Sequence, residues 1–197
     1  MEIVRAEGLG YAYHYDETFV LKDLSFSAES GKITEVALGY GKTTLARLLG
    51  GLLIPSEGTL LLKGQPLLSV PKEKRNIAVI FEDYALMKGT VRDNLAFGLK
   101  VRGFDKSETE RIVALEAEKF SLSDKLDIST RKLSRIDAFM TALARADARE
   151  IELLVLDDVF KGLEKEERET ARNTVESLIR AHSCAVINIS DKGGENE

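Results

Sequence analysis

Gly39-Tyr40-Gly41-Lys42-Thr43-Thr44 is the stretch that decides the fold of this 197-residue chain. It follows an apolar run typical of a strand, Ile33 to Leu38, and precedes a run typical of a helix, Leu45 to Leu53. A strand, a glycine turn, Gly-Lys-Thr and a helix together hold phosphates, because backbone N–H groups point inward, the lysine supplies charge and the hydroxyl reaches Mg²⁺. Gly-Lys-Thr alone arises by chance, but this context favours a phosphate site over an ordinary strand-to-helix connection.

The glycine loop is incomplete. The full pattern has a glycine six residues before the lysine, and that position is Val36. We expect a β-branched residue there to disfavour the turn conformations that glycine allows, and its side chain to crowd a phosphate.

The composition describes an ordinary soluble globular protein, with 44% hydrophobic and 31% charged residues. A net charge of -5 argues against a nucleic-acid partner, which would call for a basic face. The single cysteine, Cys184, lies in an apolar run, which predicts buried packing in a reducing compartment. Since the sequence offers neither a membrane span nor a signal peptide, we expect a cytoplasmic protein that meets a membrane only through a partner.

The remaining pattern predicts a doubly layered α/β domain. Residues 1 to 29 alternate as half-buried strands do, whereas Ile77–Phe81 and Glu152–Asp158 are apolar runs typical of buried parallel strands. Tyr11, Tyr13 and Tyr15 alternate on one predicted strand face, where packing is the default role and stacking of Tyr13 on a purine is the sharper alternative.

Helices are predicted between these strands and after them. The pattern places one over Thr90 to Lys100, a second begun by a Ser107/Glu110 capping box, and a third that begins at Ser134. A long amphipathic helix over Glu164 to His182 precedes a last strand from Cys184 to Ile189.

Two carboxylates follow the second buried strand. Asp157 and Asp158 stand where open α/β sheets place their chemistry, although helix capping or a loop role would explain either one alone. Together with the upstream glycine loop, they indicate a Mg²⁺ site beside a group that activates water.

Taken in this order, the chain resembles the ATPase subunit of the ATP-binding cassette (ABC) family, most like the subunits of importers. The resemblance covers essentially the whole chain. Its motifs are Val20–Phe26, Gly41–Leu45, Tyr84–Leu86, Thr90–Leu99 and Leu143–Ala146. It implies a P-loop NTPase (RecA-like) core with a mostly parallel sheet, an antiparallel β subdomain and a helical insert at about 84–147, in one domain with a frayed tail at 192–197.

The resemblance also implies a role for each motif position. ATP would be bound by the residues Tyr13, Gly39, Gly41, Lys42, Thr43, Thr44 and Ser134. Mg²⁺ would be bound by Thr43 and Asp157. Glu82 takes the place of the glutamine that senses the γ-phosphate, Asp158 that of the catalytic glutamate, and Ser190 that of the switch histidine.

Nearly every chemical position therefore departs from the family. The signature that caps a neighbour's ATP begins with Leu133-Ser134 but continues with Arg135 and Ile136 in place of glycines, and the segment from Gly31 to Lys42 is about two residues short. Asp158 is one methylene shorter than glutamate, and a misplacement of about 1 Å can cost on the order of 100-fold in rate. Ser190 cannot act as an acid or base near neutral pH.

The family's partners are a transmembrane transporter subunit and a second cassette subunit, in a homo- or heterodimer. Three functions fit the altered motifs. The first is a degenerate subunit with weak or non-hydrolytic nucleotide binding and a structural or regulatory role in a transporter. The second is a slow ATPase in which Asp158 and Glu82 substitute for the usual residues. The third is a stand-alone binding module that kept the fold.

Overall fold

A computed structural model describes residues 1–13, 18–149 and 151–192 of the chain. The chain divides into two compact units. The first comprises Met1–Phe81, Glu152–Asp158 and Ile179–Glu197, and the second Glu82–Ile151 and Val159–Leu178. Two sequence predictions, the alignment of Tyr15 with its neighbours and the frayed end of the tail, concern residues outside the described ranges.

The strands are β1 (Glu2–Tyr11), β2 (Leu21–Glu29), β3 (Ile33–Ala37), β4 (Glu57–Leu62), β5 (Gln65–Pro66), β6 (Ile77–Ile80), β7 (Leu153–Asp157) and β8 (Ala185–Ser190). The α-helices are α1 (Lys42–Leu49), α2 (Val91–Val101), α3 (Lys106–Lys119), α4 (Arg135–Asp147) and α5 (Lys165–His182).

The first unit contains a parallel sheet in the order β3-β8-β7-β6. The β7 strand lies inside this sheet and every one of its residues is buried, as its unbroken apolar run predicts. The β6 strand lies at the edge, so only alternate residues are buried, and the prediction of full burial was wrong for it. Since parallel strands end at the same edge, β3, β7 and β8 bring their carboxyl ends together.

The first unit also contains an antiparallel sheet in the order β2-β1-β4-β5. One apolar core joins both sheets to α1, with Leu9, Leu45 and Val155 among its fully buried members. This combination confirms the predicted α/β class with an antiparallel β part. The β1 strand ends at Tyr11, so Tyr13 lies beyond it and the prediction of a shared strand face was wrong.

The second unit is helical. Val91, Leu95 and Leu99 of α2 are buried at helical spacing, whereas Phe97 falls off that face and is 51% exposed. The predicted capping box at Ser107 was wrong, because Asp105 caps α3 by accepting from the Glu108 backbone N–H at 2.8 Å. Thr90 and Asp93 form the real capping box, at the start of α2.

Within the described ranges, the helices are too short or too polar to traverse a lipid bilayer.

Candidate phosphate site

The connection between β3 and α1 is the predicted phosphate loop. It contains four residues, Leu38 to Gly41, because β3 ends at Ala37 and α1 begins at Lys42. Gly41 is the N-cap, and its carbonyl accepts the first intrahelical bond from the Leu45 N–H at 2.8 Å. The predicted helix to Leu53 was too long, since α1 ends at Leu49 before Gly50 and Gly51.

Val36 does not lie in this loop. It is a regular residue of β3, opposite Ile189 of β8, and it is 7% exposed in the apolar core. The expectation that its side chain crowds a phosphate was therefore wrong. Because the segment before Lys42 is short, Val36 belongs to the strand. The loop is therefore shorter than the full motif, and the Val36 side chain does not block it.

The two loop glycines differ in what they require. Gly41 has φ +80°, and an added Cβ would meet the Leu21 side chain at 2.7 Å and the Val20 carbonyl at 2.9 Å. Gly39 has open space around its Cα. Gly41 is thus required by the fold itself, since positive φ and close backbone approach favour glycine.

The Lys42 ammonium forms ion pairs with two carboxylates. Its Nζ lies 3.2 Å from the Asp158 carboxylate, and it also pairs at hydrogen-bond range with Asp191. Burial would lower the pKa of Lys42, but hydrogen bonds to Asp191 and Asp158 outweigh it, so the pKa is raised above its ordinary value. The lysine is therefore fully charged near neutral pH and already neutralised by its own chain.

The carboxyl ends of β7 and β8 supply these acidic groups. Asp157 ends β7 and is 1% exposed, and Asp158 follows it with φ +55°, its N–H donating to the Ile189 carbonyl at 2.9 Å. Ser190 ends β8, where its carbonyl accepts from the Leu38 N–H at 2.9 Å, and Asp191 comes next. The structure thus brings Lys42, Asp158 and the residue after Ser190 together, as the parallel topology requires.

Tyr13 and Thr44 meet beside the start of α1. The Tyr13 hydroxyl lies 3.0 Å from Thr44 Oγ1, and the Tyr13 ring stands edge-on to Tyr11 with centroids 5.0 Å apart. Thr44 is buried, whereas half of Tyr13 is exposed. An exposed aromatic face at this position keeps purine stacking as a prediction.

Glu82 and Ser134 lie in the second unit. Glu82 pairs with Lys161 at 3.3 Å, and its carbonyl accepts from Arg135 at 3.3 Å. The Arg135 guanidinium also lies 5.2 Å from the Tyr84 ring centroid. It packs close to Gly162, since a Cβ added to that glycine would lie 3.2 Å from Arg135 Nε. Ser134 caps α4 by accepting from the Asp137 N–H at 3.2 Å. Glu82, Ser134 and Arg135 thus all have partners inside their own unit.

The phosphate site departs from the full motif in the length of its loop and in the partners of Lys42. A loop of four residues offers fewer inward N–H groups than the full motif, and Lys42 faces two carboxylates instead of an open pocket. Among the described residues, no group of three or more His, Cys, Asp or Glu side chains could hold a metal ion. Thr43 and Asp157 stay predicted Mg²⁺ ligands.

Sequence reasoning missed Asp191 as a partner of Lys42. The available signal was its position directly after β8, the strand that neighbours β3. Side chains just beyond the carboxyl ends of adjacent parallel strands lie close together. An acidic residue after β8 therefore faces the start of α1, the helix that follows β3. The roles of Lys161 and Arg135 within the second unit had no comparable signal.

Known proteins resemble this chain along most of its length. The sequence profile of the family described as "ABC transporter" matches residues 21–161. The molybdate/tungstate import ATP-binding protein WtpC of Thermococcus kodakarensis is 37% identical over 169 residues, 84% of this chain and 50% of that protein. The spermidine/putrescine import ATP-binding protein PotA of Oleidesulfovibrio alaskensis is 32% identical over 174 residues, 87% of this chain and 47% of that protein. The chain thus spans about half the length of the curated relatives it matches.

A solved structure shares the fold. CbiO1 from Clostridium perfringens, described as part of the ABC transporter complex CbiONQ, superposes with a TM-score of 0.81 at 22% identity. The match covers 96% of this chain and 78% of that one. At this identity the likeness concerns the fold, and it confirms the P-loop NTPase arrangement.

Proposed function

This chain belongs to the ABC transporter family, and from that premise we propose that it is a degenerate ATP-binding subunit of a membrane transporter. It binds nucleotide weakly, does not hydrolyse it efficiently, and serves a structural or regulatory role. Its relatives are named as ATP-binding proteins of import systems, which supports a transporter as the setting.

The length of the phosphate loop carries this proposal. Four residues separate β3 from α1. One of them, Gly41, must be glycine for the fold itself, because a side chain there would overlap Leu21 and the Val20 carbonyl. A loop that cannot surround the phosphate chain loses the preorganised N–H donors on which electrostatic stabilisation of the transferred group depends. Binding and hydrolysis are weakened together.

The altered signature supports the same conclusion for a neighbouring subunit. Arg135 stands where the family places a glycine, and its side chain contacts the Glu82 carbonyl, Tyr84 and the region of Gly162 in its own unit. Bulk at this position hinders the approach of backbone N–H groups to a phosphate. A second cassette subunit would therefore gain little from this chain's signature.

A slow ATPase is the second candidate. The observation that favours it is that Lys42 is the first residue of α1 and Asp157 the last of β7, as the motif requires. Asp158 would then position the attacking water.

Phosphate release separates these candidates. Purified wild-type protein and Lys42→Ala are incubated with MgATP, and we expect equal, near-background release from both. Release clearly above background that Lys42→Ala abolishes would contradict the proposal and favour the slow ATPase, even at a rate far below the roughly 10 s⁻¹ typical of enzymes.

The setting in a transporter needs its own test. We propose that the protein is cytoplasmic and reaches the membrane through a transmembrane subunit, with a second cassette subunit beside it. Tagged protein expressed in its native host should copurify from detergent-solubilised membranes with a polytopic transporter subunit. Recovery of the tagged protein alone, in the soluble fraction, would favour a stand-alone binding module.

A further inference from the structure

We propose that the carboxylates of Asp191 and Asp158 pair with the Lys42 ammonium where a phosphate group would otherwise bind. The chain's own side chains thereby close the phosphate site, and Asp191 controls the affinity of the site for a triphosphate. This inference rests on the proposed function, and it assigns to Asp191 a role in controlling the binding of nucleoside triphosphates.

Lys42 supplies the charged donor that a phosphate site needs. A P-loop lysine binds phosphate as a point charge through its ammonium protons. The Lys42 ammonium already pairs with the Asp158 and Asp191 carboxylates, which are anionic oxygen acceptors like those of a phosphate. The two carboxylates engage two of the three ammonium donors, so a triphosphate competes with them for this lysine.

The charge of this cluster also disfavours a triphosphate. Lys42 contributes +1 and the two aspartates -2, so the three side chains carry a net charge of -1. A triphosphate carries several negative charges and meets net repulsion here, at distances over which partly buried charges interact strongly. Neutralising one aspartate removes both the competitor for Lys42 and part of this repulsion.

The two aspartates differ in exposure to solvent. The Asp158 side chain is 12% exposed and its backbone N–H is bonded to the Ile189 carbonyl, whereas the Asp191 side chain is 46% exposed. Asp191 follows the end of β8, and its side chain is the more exposed of the two. Asp158 is fixed, and Asp191 is the partner that a phosphate would replace.

The test is a titration of ATP in EDTA, followed by the backbone amide NMR shifts of Thr43 and Thr44, which tolerates millimolar affinities and locates the binding. Asp191→Asn should bind ATP about tenfold more tightly than the wild type, since a displaced ion pair and a removed like charge both contribute. Asp191→Ser is a second variant with the same expectation.

Two controls make the result specific. In a Lys42→Ala background, Asp191→Asn removes only the repulsion between this carboxylate and ATP. The gain in ATP affinity should then shrink to about twofold or less at physiological salt. Asp23→Asn changes the charge equally at an exposed residue of β2 and should leave the affinity unchanged.

An unchanged affinity in Asp191→Asn and Asp191→Ser, or an equal gain with and without Lys42, would overturn the inference. Neither result bears on the proposed function, which fails separately if the wild type hydrolyses MgATP rapidly. Complete absence of binding in every variant also overturns the inference and leaves a structural subunit.

Discussion

Single residues determine what the loop before α1 can hold. Gly41 is fixed by positive φ and by contacts with β2, whereas Gly39 has room around it. Lys42 is held from the other side by residues that follow β7 and β8. The Lys42 ammonium is therefore paired with two carboxylates of its own chain.

A pair of alanine substitutions tests this description of the loop. Gly41→Ala should lower the free energy of unfolding by about 2 kcal/mol, because the new Cβ needs positive φ and overlaps Leu21 and the Val20 carbonyl. Gly39→Ala should change it by less than about 0.5 kcal/mol. Urea denaturation measures both, and equal effects would show that the contacts around Gly41 are misassigned.

At the scale of elements, the second unit depends on local capping and on one buried acidic pair. Asp105 caps α3, and Thr90 caps α2 in a box with Asp93. Farther along, the Lys119 ammonium pairs with the buried Asp147 carboxylate near Glu116.

Two substitutions at the start of α3 distinguish the N-cap seen in the structure from the capping box predicted from the sequence. Asp105→Ala should cost about 1 kcal/mol of stability through the lost N-cap, while Ser107→Ala should be neutral or slightly stabilising because Ser107 lies within the first helical turn. Thermal unfolding of the two variants decides between them. A larger loss in Ser107→Ala would restore the capping box that the sequence suggested.

Glu116 should make stability depend on pH. Burial, followed by the nearby Asp147 carboxylate, raises the pKa of Glu116 from 4.5 to about 8, against the opposing charge of Lys119. Below pH 4.5 the group is protonated in the folded and unfolded chains alike, so it has no effect. Between 4.5 and about 8 the folded chain retains the proton better, so the free energy of unfolding falls as pH rises, and above about 8 the loss is complete.

The substitution Glu116→Gln removes this dependence. At pH 8.5 the variant should be more stable than the wild type by about 1 kcal/mol, a value reduced from the full shift because solvent and Lys119 screen the charge. The exposed Glu118 on the same helix provides the control Glu118→Gln. Parallel pH profiles for the wild type and Glu116→Gln would contradict the assignment.

At the scale of the whole molecule, local patterns predicted the elements better than their contacts. The run before Lys42 was correctly predicted as a strand and Glu152–Asp158 as a parallel strand, because the residue pattern of a strand is local to the sequence. The edge position of β6, the place of Val36 inside β3 and the Lys42–Asp191 pair were not predicted. Each depends on which strands become neighbours, and a single sequence does not specify that order.

The same distinction applies to function. The succession of motifs identified the ABC transporter family, which the match over residues 21–161 confirms. The consequences of the altered motif residues depend on the side chains that they contact, such as Glu82 with Lys161 and Lys42 with Asp191. Those partners lie far apart in the sequence, so these ion pairs could be identified only in three dimensions.

The central claim is that the scaffold of a nucleotide-binding subunit has been retained while its phosphate site is closed by its own side chains. Calorimetric titration of MgATP into the purified wild-type protein tests it most directly. We predict a dissociation constant of about 1 mM or weaker, corresponding to no more than roughly 4 kcal/mol of binding free energy. A dissociation constant of about 10 μM or tighter would show that Lys42 is open to phosphate and would contradict the claim.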